Sequence, residues 1–390
     1  MAKKSGDNGF EKDPANELAK KLKLVSLGKI HQFKKGLDVL STGIVPIDLA
    51  CGWIDPIRGN GGIQARSIVE LVGENNCYKT GISEQMILAT QKRYPGVCVA
   101  NLYSEPPNTE RMEELGIDLD RIMNIGCYHP EIDRREFLAE DSLDSLVKFS
   151  ELESIKLCII DSVAALPPSK LIYDKTNFRE LEAGAPVAVL ANPINNFLKQ
   201  FIYRNCVSVL LMLNQWRDQI TTGFGGRPLT RAYTTGGRGI GFHSDLRILT
   251  TGNPIMTEEH SQTKQKYQCG ISCNVSLFKM KISTTRAFRK TAFNFDFETK
   301  KINNEQRLLE FASFWGHKEG DKIISKLSIP VVKSGSWFYI GDERVQGEEN
   351  AALFLEEKPD LRFQLEKEII ALGKKYYEDD SMFINNLDEE

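Results

Sequence analysis

From residue 67 the chain reads Ser67-Ile-Val-Glu-Leu-Val-Gly73-Glu-Asn-Asn-Cys-Tyr-Lys79-Thr80: an apolar strand, a polar loop, then the start of a helix. That order leaves few folds open. Loop amides and the first turn of a helix aim N–H groups at one point, and phosphate oxygens are the natural occupants. Gly73, Glu74, Asn75, Asn76, Cys77 and Tyr78 then form the cradle, Lys79 brings a point charge to the β- and γ-phosphates, and the Thr80 hydroxyl holds Mg²⁺. The usual pattern, Gly-x-x-x-x-Gly-Lys-Ser/Thr, has glycine before the lysine, whereas this chain has Tyr78. Tyrosine does not take a positive φ cheaply. With that glycine relaxed, average residue usage supplies the pattern in roughly one chain of this length in five. The rest of the sequence must therefore decide.

The chain has 390 residues, 41% of them hydrophobic and 26% charged, enough for one large α/β domain with small appendages. It contains no run of about eighteen apolar residues to span a bilayer and no apolar signal segment at its start, so a cytoplasmic address is expected. The eight cysteines are scattered, several inside apolar runs, and read as buried thiols. The one close pair, Cys269 and Cys273, has no second pair or histidine cluster beside it, which argues against zinc. Net charge is −3, but the first thirty-five residues are rich in lysine and the end is acidic. A basic arm with an acidic tail and two merely solvated termini both fit that asymmetry.

Along the chain, residues 14–31 carry the pattern of a short amphipathic helix, and Pro46 with Gly52 brackets another. A helix follows the cradle to about 93, then a strand over 97–103, a helix over 107–115, a strand over 122–128, a helix over 141–152 and a strand over 156–161. This alternation is the grammar of a mostly parallel sheet with helices on both faces. Residues 169–191 read as a mobile loop passing into helix, Asn192-Pro193 as a cap-and-first-turn signal for a helix to about 205, and 207–213 as a strand. Residues 216–238 read as a long glycine- and arginine-rich loop, a length uncommon inside a domain unless it is functional. Strands over 242–249, 271–283 and 290–297 alternate in polarity and close the sheet edge in antiparallel fashion. Beyond 304 the expectation is helices over 305–315 and 321–327, a hairpin around Gly335, and helices over 348–357 and 361–377. The predicted organisation is an arm (1–36), an α/β core (37–303), a small carboxyl α/β domain (304–377) and an acidic tail (378–390).

Four strand ends fall in order: the cradle, Glu105, Asp161 and Gln215. In a parallel sheet all lie at the carboxyl edge, where ligands bind. Asp161 alone is as well read as a helix cap, and Gln215 as a partner for loop backbone. Together they divide the work of nucleotide hydrolysis: Asp161 orders the Mg²⁺ shell, Glu105 orients or deprotonates water, and Gln215 senses the γ-phosphate.

The chain from about 37 to 373 resembles the RecA recombinases, including the UvsX-type phage members. The likeness rests on Leu40-Ser-Thr-Gly-Ile-Val-Pro-Ile-Asp-Leu-Ala-Cys-Gly52, Ile68-Val-Glu-Leu-Val-Gly73, Leu115-Gly-Ile-Asp118 and Ile159-Ile-Asp-Ser-Val-Ala-Ala-Leu166. It continues through Leu213-Asn-Gln215, Tyr233-Thr-Thr-Gly-Gly237, Ser336-Trp-Phe-Tyr-Ile-Gly341 and Gln346-Gly-Glu-Glu-Asn-Ala351. The resemblance implies an ATP- and Mg²⁺-dependent recombinase with a RecA-like ATPase core, acting as a helical homo-oligomeric filament on single-stranded DNA and pairing it with duplex DNA. It assigns Lys79 and Thr80 to phosphate and Mg²⁺, Glu105 to catalysis, Asp161 to the Mg²⁺ shell and Gln215 to coupling ATP with DNA. Lys279 and Lys281 fall on the lysines that reach a neighbour's ATP, and the arm before 37 on the segment that packs against the adjacent protomer. Residues 170–191, with Lys175 and Arg179, resemble the first DNA loop. The second is 216–238, with Arg217, Phe224, Arg227, Arg231, Gly236, Gly237 and Arg238. Arginines for phosphates and a phenylalanine for stacking suit sequence-tolerant binding to a single strand. Recombination mediators and single-strand-binding proteins are the implied partners, and the cytoplasm, or a host's cytoplasm, the implied address. Tyr78 departs from the family, and the segment after Glu105 is one residue shorter, which puts Arg111 where an adenine-stacking tyrosine often lies; a planar guanidinium also stacks on a base. Those departures leave a DNA-binding accessory filament protein with little ATP hydrolysis as the alternative.

Overall fold

The computed structural model describes residues 18, 21–126, 138–170, 185–204, 206–222, 228–251, 256–259, 264–281, 289–320 and 322–375. The chain divides into two units, Met1–Asp38 and Val39–Glu390. In the first, α1 (Leu27–Lys35) starts at Ser26, whose side chain accepts from the Lys29 N–H at 3.4 Å, and ends at Gly36. Ahead of it Leu18 and Lys21 are also helical, with the Leu22 N–H donating to the Leu18 carbonyl at 2.9 Å, so the stretch over 14–31 is interrupted before Ser26, which caps a second helix. None of its residues is buried.

In the second unit, β1 (Val39–Leu40), α2 (Val45–Cys51), β2 (Trp53–Ile54) and β3 (Gly61–Gln64) lead to β4 (Ile68–Gly73). There follow α3 (Lys79–Arg93), β5 (Val99–Tyr103), α4 (Thr109–Glu114), β6 (Ile122–Asn124), α5 (Ala139–Ser150) and β7 (Leu157–Asp161). Next come α6 (Ala185–Tyr203), β8 (Val209–Thr222), β9 (Pro228–Thr234), α7 (Arg238–His243), β10 (Leu246–Thr251), β11 (Met256–Glu259), β12 (Lys266–Met280) and β13 (Lys290–Asp296). Strands β10, β4, β8, β7, β5 and β6 lie side by side and parallel in that order, and β12 continues the sheet antiparallel beside β10, flanked by β11 and β13. The period-two alternation of strand side chains sorts the core onto two faces. Val69, Leu71, Leu157, Ile159, Leu211 and Leu213 face α3, while Ile68, Cys158, Ile160, Leu210 and Met212 face α5 and α6. Both faces are covered, which is why these strands read as near-continuous apolar runs.

Three local expectations are corrected. Residues 216–238 are not a plain loop: β8 continues to Thr222 and pairs antiparallel with β9, from Trp216 opposite Thr234 to Thr222 opposite Pro228. Helix α6 begins ahead of Asn192, with Pro193 inside it, because the apolar stripe of Leu190, Ile194, Phe197, Leu198 and Phe201 is buried continuously along one side. Residues 322–325 form a strand rather than a helix. After α8 (Asn304–Ser313), β14 (Gly316–Glu319) and β15 (Lys322–Ser325) form a hairpin, with Gly320 at φ 61 between them and the β-branched pair Ile323-Ile324 in the second strand. The chain then builds β16 (Val331–Ser334), β17 (Trp337–Ile340) and β18 (Glu343–Gln346) as an antiparallel sheet, followed by α9 (Glu348–Glu356) and α10 (Pro359–Lys375). The Asn304 side chain bonds the Val45 N–H and the Gly43 carbonyl at 2.8 Å each, and Glu366 accepts from the Gly61 N–H at 3.2 Å. Leu308, Leu309, Phe338 and Leu365 share one apolar cluster with Ile44, Leu49 and Ile63.

Candidate nucleotide and nucleic-acid site

Strand β4 delivers Gly73 to the carboxyl edge, where a Cβ would stand 2.3 Å from Thr250 Oγ1 on β10; only glycine fits this close approach. Asn76 (φ 63) and Tyr78 (φ 58, ψ 23) then turn the loop through the left-handed region, and α3 starts at Lys79. Tyr78 therefore does adopt the conformation that the usual glycine supplies. Its ring is the reason. The side chain is 6% exposed, with ring centroids 5.2 Å from Phe295 and 5.9 Å from Phe293, and lies so close over Gly81 that a Cβ there would stand 2.3 Å from Tyr78 Cζ. A left-handed backbone costs about 1–2 kcal/mol, and burying an aromatic ring returns about 1.5–3 kcal/mol. The ring belongs to the core cluster beneath α3, and the same burial pushes the phenol pKa up.

Glu74, Asn75 and Asn76 are exposed and Cys77 is buried, its Sγ 3.8 Å from the Asn75 carbonyl. Lys79 Nζ sits inside the loop, donating to the carbonyls of Gly73 (3.0 Å) and Glu74. Burial pulls its pKa down, opposed by the charges around it, Asp161 among them. A cavity of about 260 Å³ opens beside it, and its lining includes Thr80, Glu84, Glu105, Asn108, Arg111 and Asp161. Burial pushes the Asp161 carboxyl up to about 6 and Glu105 adds to the rise, while a hydrogen bond from Thr80 and the charge of Lys79 oppose it. Asp161 thus has three other predicted nucleotide-handling side chains, those of Thr80, Glu105 and Lys79, acting on it. Arg111 is held by an ion pair with Glu84 at 3.0 Å, its guanidinium 5.6 Å from the Tyr78 ring centroid. Glu84, raised to about 7 by burial, went unnoticed in the sequence because it occupies an ordinary helical position four residues after Thr80.

Gln215 stands in register with Gly73 across the β4–β8 pair, so the strand that begins the ribbon passes directly beside the loop. Along the ribbon Arg217 is opposite Tyr233 and Arg231 opposite Gln219. Arg179, Phe224 and Arg227 lie outside the described residues, as does Lys175. Gly236 (φ 88) and Gly237 (φ 82) bring the chain back from β9, and added Cβ atoms would meet Ile240 Cδ1 at 2.6 Å and the Ala191 Cβ at 2.8 Å. Both glycines have a packing reason for being there. Arg238 opens α7 and is exposed. Lys279 and Lys281 do not line the Asp161 cavity. Their ammonium groups instead cap α7: Lys279 donates to the carbonyls of Gly241 and Phe242 (3.1 Å), and Lys281 to that of His243 (2.8 Å).

The strand that leads into the loop holds a buried charge pair that the sequence reading missed. Glu70, in the middle of the apolar strand β4, is fully buried and pairs with Arg247 Nε at 2.5 Å. A carboxylate within Ile68-Val-Glu-Leu-Val72 was the available signal, since such a residue in a doubly covered strand needs partners.

Known proteins resemble this chain over most of its length. The family model of the RecA N-terminal domain matches residues 15–300, and that of the RecA C-terminal domain matches residues 329–373. Among curated relatives, Protein RecA of Paracoccus denitrificans is 26% identical over 336 residues, covering 86% of this chain and 81% of the relative. Protein RecA of a Sulfurovum species is 27% identical over 340 residues (86% and 84%), and that of Ureaplasma parvum 26% over 369 residues (93% and 96%).

Proposed function

The chain belongs to the RecA family, and from that premise we propose that it is a DNA-dependent ATPase that forms helical filaments on single-stranded DNA and exchanges strands with homologous duplex. The observation that supports this reading is that Thr80, Glu105 and Asp161 line one cavity, with the Lys79 charge acting on Asp161 and Gln215 in register beside Gly73. The residues present fit Mg²⁺-ATP: Lys79 already donates to loop carbonyls in the cradle, and the half-buried Asp161 carboxyl, held up to about 6, would gain from a cation. Thr80 and Asp161 would hold the metal, which supplies charge neutralisation of the phosphates when bound.

Lys79 would exchange its carbonyl partners for phosphate oxygens, whose negative charge would offset the burial that lowers its pKa. Glu105, exposed at the cavity mouth, orients the attacking water or accepts its proton. Gln215 passes the nucleotide state into the β8–β9 ribbon, whose Arg217 and Arg231 join Arg227, Arg238 and Phe224 in contacting DNA; Arg179 and Lys175 serve the first DNA-binding segment. Arg111, held by Glu84, offers a guanidinium plane at the nucleotide pocket. Lys279 and Lys281 act across the subunit interface, the arm of residues 1–36 packs on the adjacent protomer, and the acidic tail tunes access of DNA to basic surface. Residues 37–303 and 304–377 are proposed as the ATPase core and the carboxyl domain. Mediators and single-strand-binding proteins are proposed partners, in the cytoplasm of a cell or of a virus's host. Among the described residues no helix is long and apolar enough to cross a membrane.

ATP turnover measured with and without single-stranded DNA tests the proposal. Stimulation by DNA that disappears in Lys79→Ala and Glu105→Gln is expected; no stimulation in a protein that binds ATP sinks it. Filaments that persist with ATP while turnover is undetectable would favour the accessory-filament alternative. The burial of the Tyr78 ring away from the cradle removes one of that alternative's two motives.

A further inference from the structure

The two feet of the β8–β9 ribbon meet at one buried carboxylate. Glu70 Oε1 accepts from Asn214 Nδ2 at 2.9 Å, and Oε2 accepts from Arg247 Nε at 2.5 Å. Asn214 immediately precedes Gln215. Its amide also donates to the Thr235 carbonyl at 2.8 Å, where the ribbon returns, and its Oδ1 accepts the Gln215 N–H at 2.9 Å. Arg247 reaches the same returning foot through Thr234 Oγ1 at 3.3 Å, and its guanidinium lies 4.5 Å from the ring centroid of Phe278, which in turn meets Trp216 edge-on at 6.0 Å. Glu70 itself stands on β4, three residues before Gly73.

We propose that Glu70 is a positioning residue that clamps both feet of the β8–β9 ribbon to the strand feeding the phosphate loop, and so couples nucleotide binding to the ribbon's grip on DNA. This rests on the recombinase reading above. Stability alone is a poor reason for the arrangement. An ion pair in a core is often matched or bettered by apolar side chains of similar volume, because both charges lose their hydration. What the polar set supplies is direction: each oxygen of one carboxylate specifies a different partner, and together they bring the entering and leaving chains to the same strand. A shift of the loop at Gly73 moves β4, and Glu70 carries that shift to Asn214, Thr234 and Thr235 rather than letting the ribbon pivot at Gln215.

The test compares binding of a fluorescent oligothymidylate with and without a non-hydrolysed ATP analogue, alongside binding of the analogue itself. In the unmodified protein the analogue is expected to tighten DNA binding by roughly 5- to 150-fold, the usual span of coupling between two sites. In Glu70→Gln, which keeps the shape but removes the charge facing Arg247, that ratio falls toward unity while analogue binding and nucleotide-free DNA binding persist. The double replacement Glu70→Met with Arg247→Met keeps apolar volume in place of the pair, and the same collapse of the ratio is expected there even if Glu70→Gln does not fold. A ratio preserved in either folded variant overturns the clamp, and so does loss of DNA binding in both nucleotide states. An unmodified protein with no ratio to lose defeats the recombinase reading instead, which separates the two failures.

Discussion

Replacing Gly81 with alanine ordinarily strengthens a helix, by up to about 1 kcal/mol at an interior position. In this chain the opposite is expected, because the added Cβ would stand 2.3–2.6 Å from Cζ, Cε2 and Cε1 of Tyr78. The ring has little room to yield, with Phe293 and Phe295 packed against it and the Arg111 guanidinium close to its face. Forcing a methyl into a filled core costs about 1–3 kcal/mol, so after the helical gain Gly81→Ala should lose up to about 2 kcal/mol. Tyr78→Gly removes the ring at about 3–5 kcal/mol but relieves about 1–2 kcal/mol of left-handed backbone. In that background Gly81→Ala should become stabilising by up to about 1 kcal/mol, a coupling of about 1–3 kcal/mol between the two positions. Urea midpoints of the four proteins, read at constant slope, measure the cycle. A midpoint raised by Gly81→Ala while Tyr78 is present, or an equal effect in both backgrounds, would refute the packing account of Tyr78. Nucleotide binding supplies a second reading: Tyr78→Gly alone leaves it intact, whereas a ring evicted by Ala at 81 has the cradle mouth as its nearest exit and weakens it.

The raised Asp161 carboxyl has a pH signature. A pKa shifted from 3.8 to about 6 means that the folded chain holds this proton more tightly than the unfolded chain, so the group's contribution to stability declines as pH rises through that interval. Mg²⁺-dependent nucleotide binding runs the other way, falling as pH drops through about 6; Asp161→Asn should flatten both profiles, in urea titrations and in nucleotide binding respectively. Lys279→Gln and Lys281→Gln each remove donors from the last carbonyls of α7, a loss of about 0.3–1 kcal/mol per lysine visible as faster amide exchange in that helix. If the same lysines also reach a neighbouring subunit's nucleotide, DNA-stimulated turnover drops by far more than that stability loss explains; turnover that tracks the exchange rate would confine them to capping.

The parallel sheet was legible because each strand is covered on both faces and so appears as an apolar run, and because Glu105, Asp161 and Gln215 each stand where a run stops. That signal is local and survives without any partner being known. The misread segments share a different property: their state depends on pairing. Residues 216–222 and 228–234 stand among the glycines at 223, 225, 226, 236 and 237 and carry Arg217 and Arg231, so they read as loop, and only the ladder from Trp216–Thr234 to Thr222–Pro228 makes them strands. Tyr78 is the same problem at a single residue. Its backbone penalty could be read from the residue type, but the compensating burial comes from Phe293 and Phe295, more than two hundred positions away, and from a glycine three residues on. Glu70 is the reverse case, an acid whose strangeness was visible in its own strand and whose partners, Asn214 and Arg247, only the fold identifies. In both, a residue that contradicts its local pattern sits where distant elements meet. The proposed phosphate loop is accordingly held from two sides: Tyr78 pins its far end into the core under α3, and Glu70 ties the strand before it to the ribbon. A loop anchored at both ends can move chiefly by moving what it is anchored to, and of those anchors only the ribbon leads outward, toward the proposed DNA-binding residues.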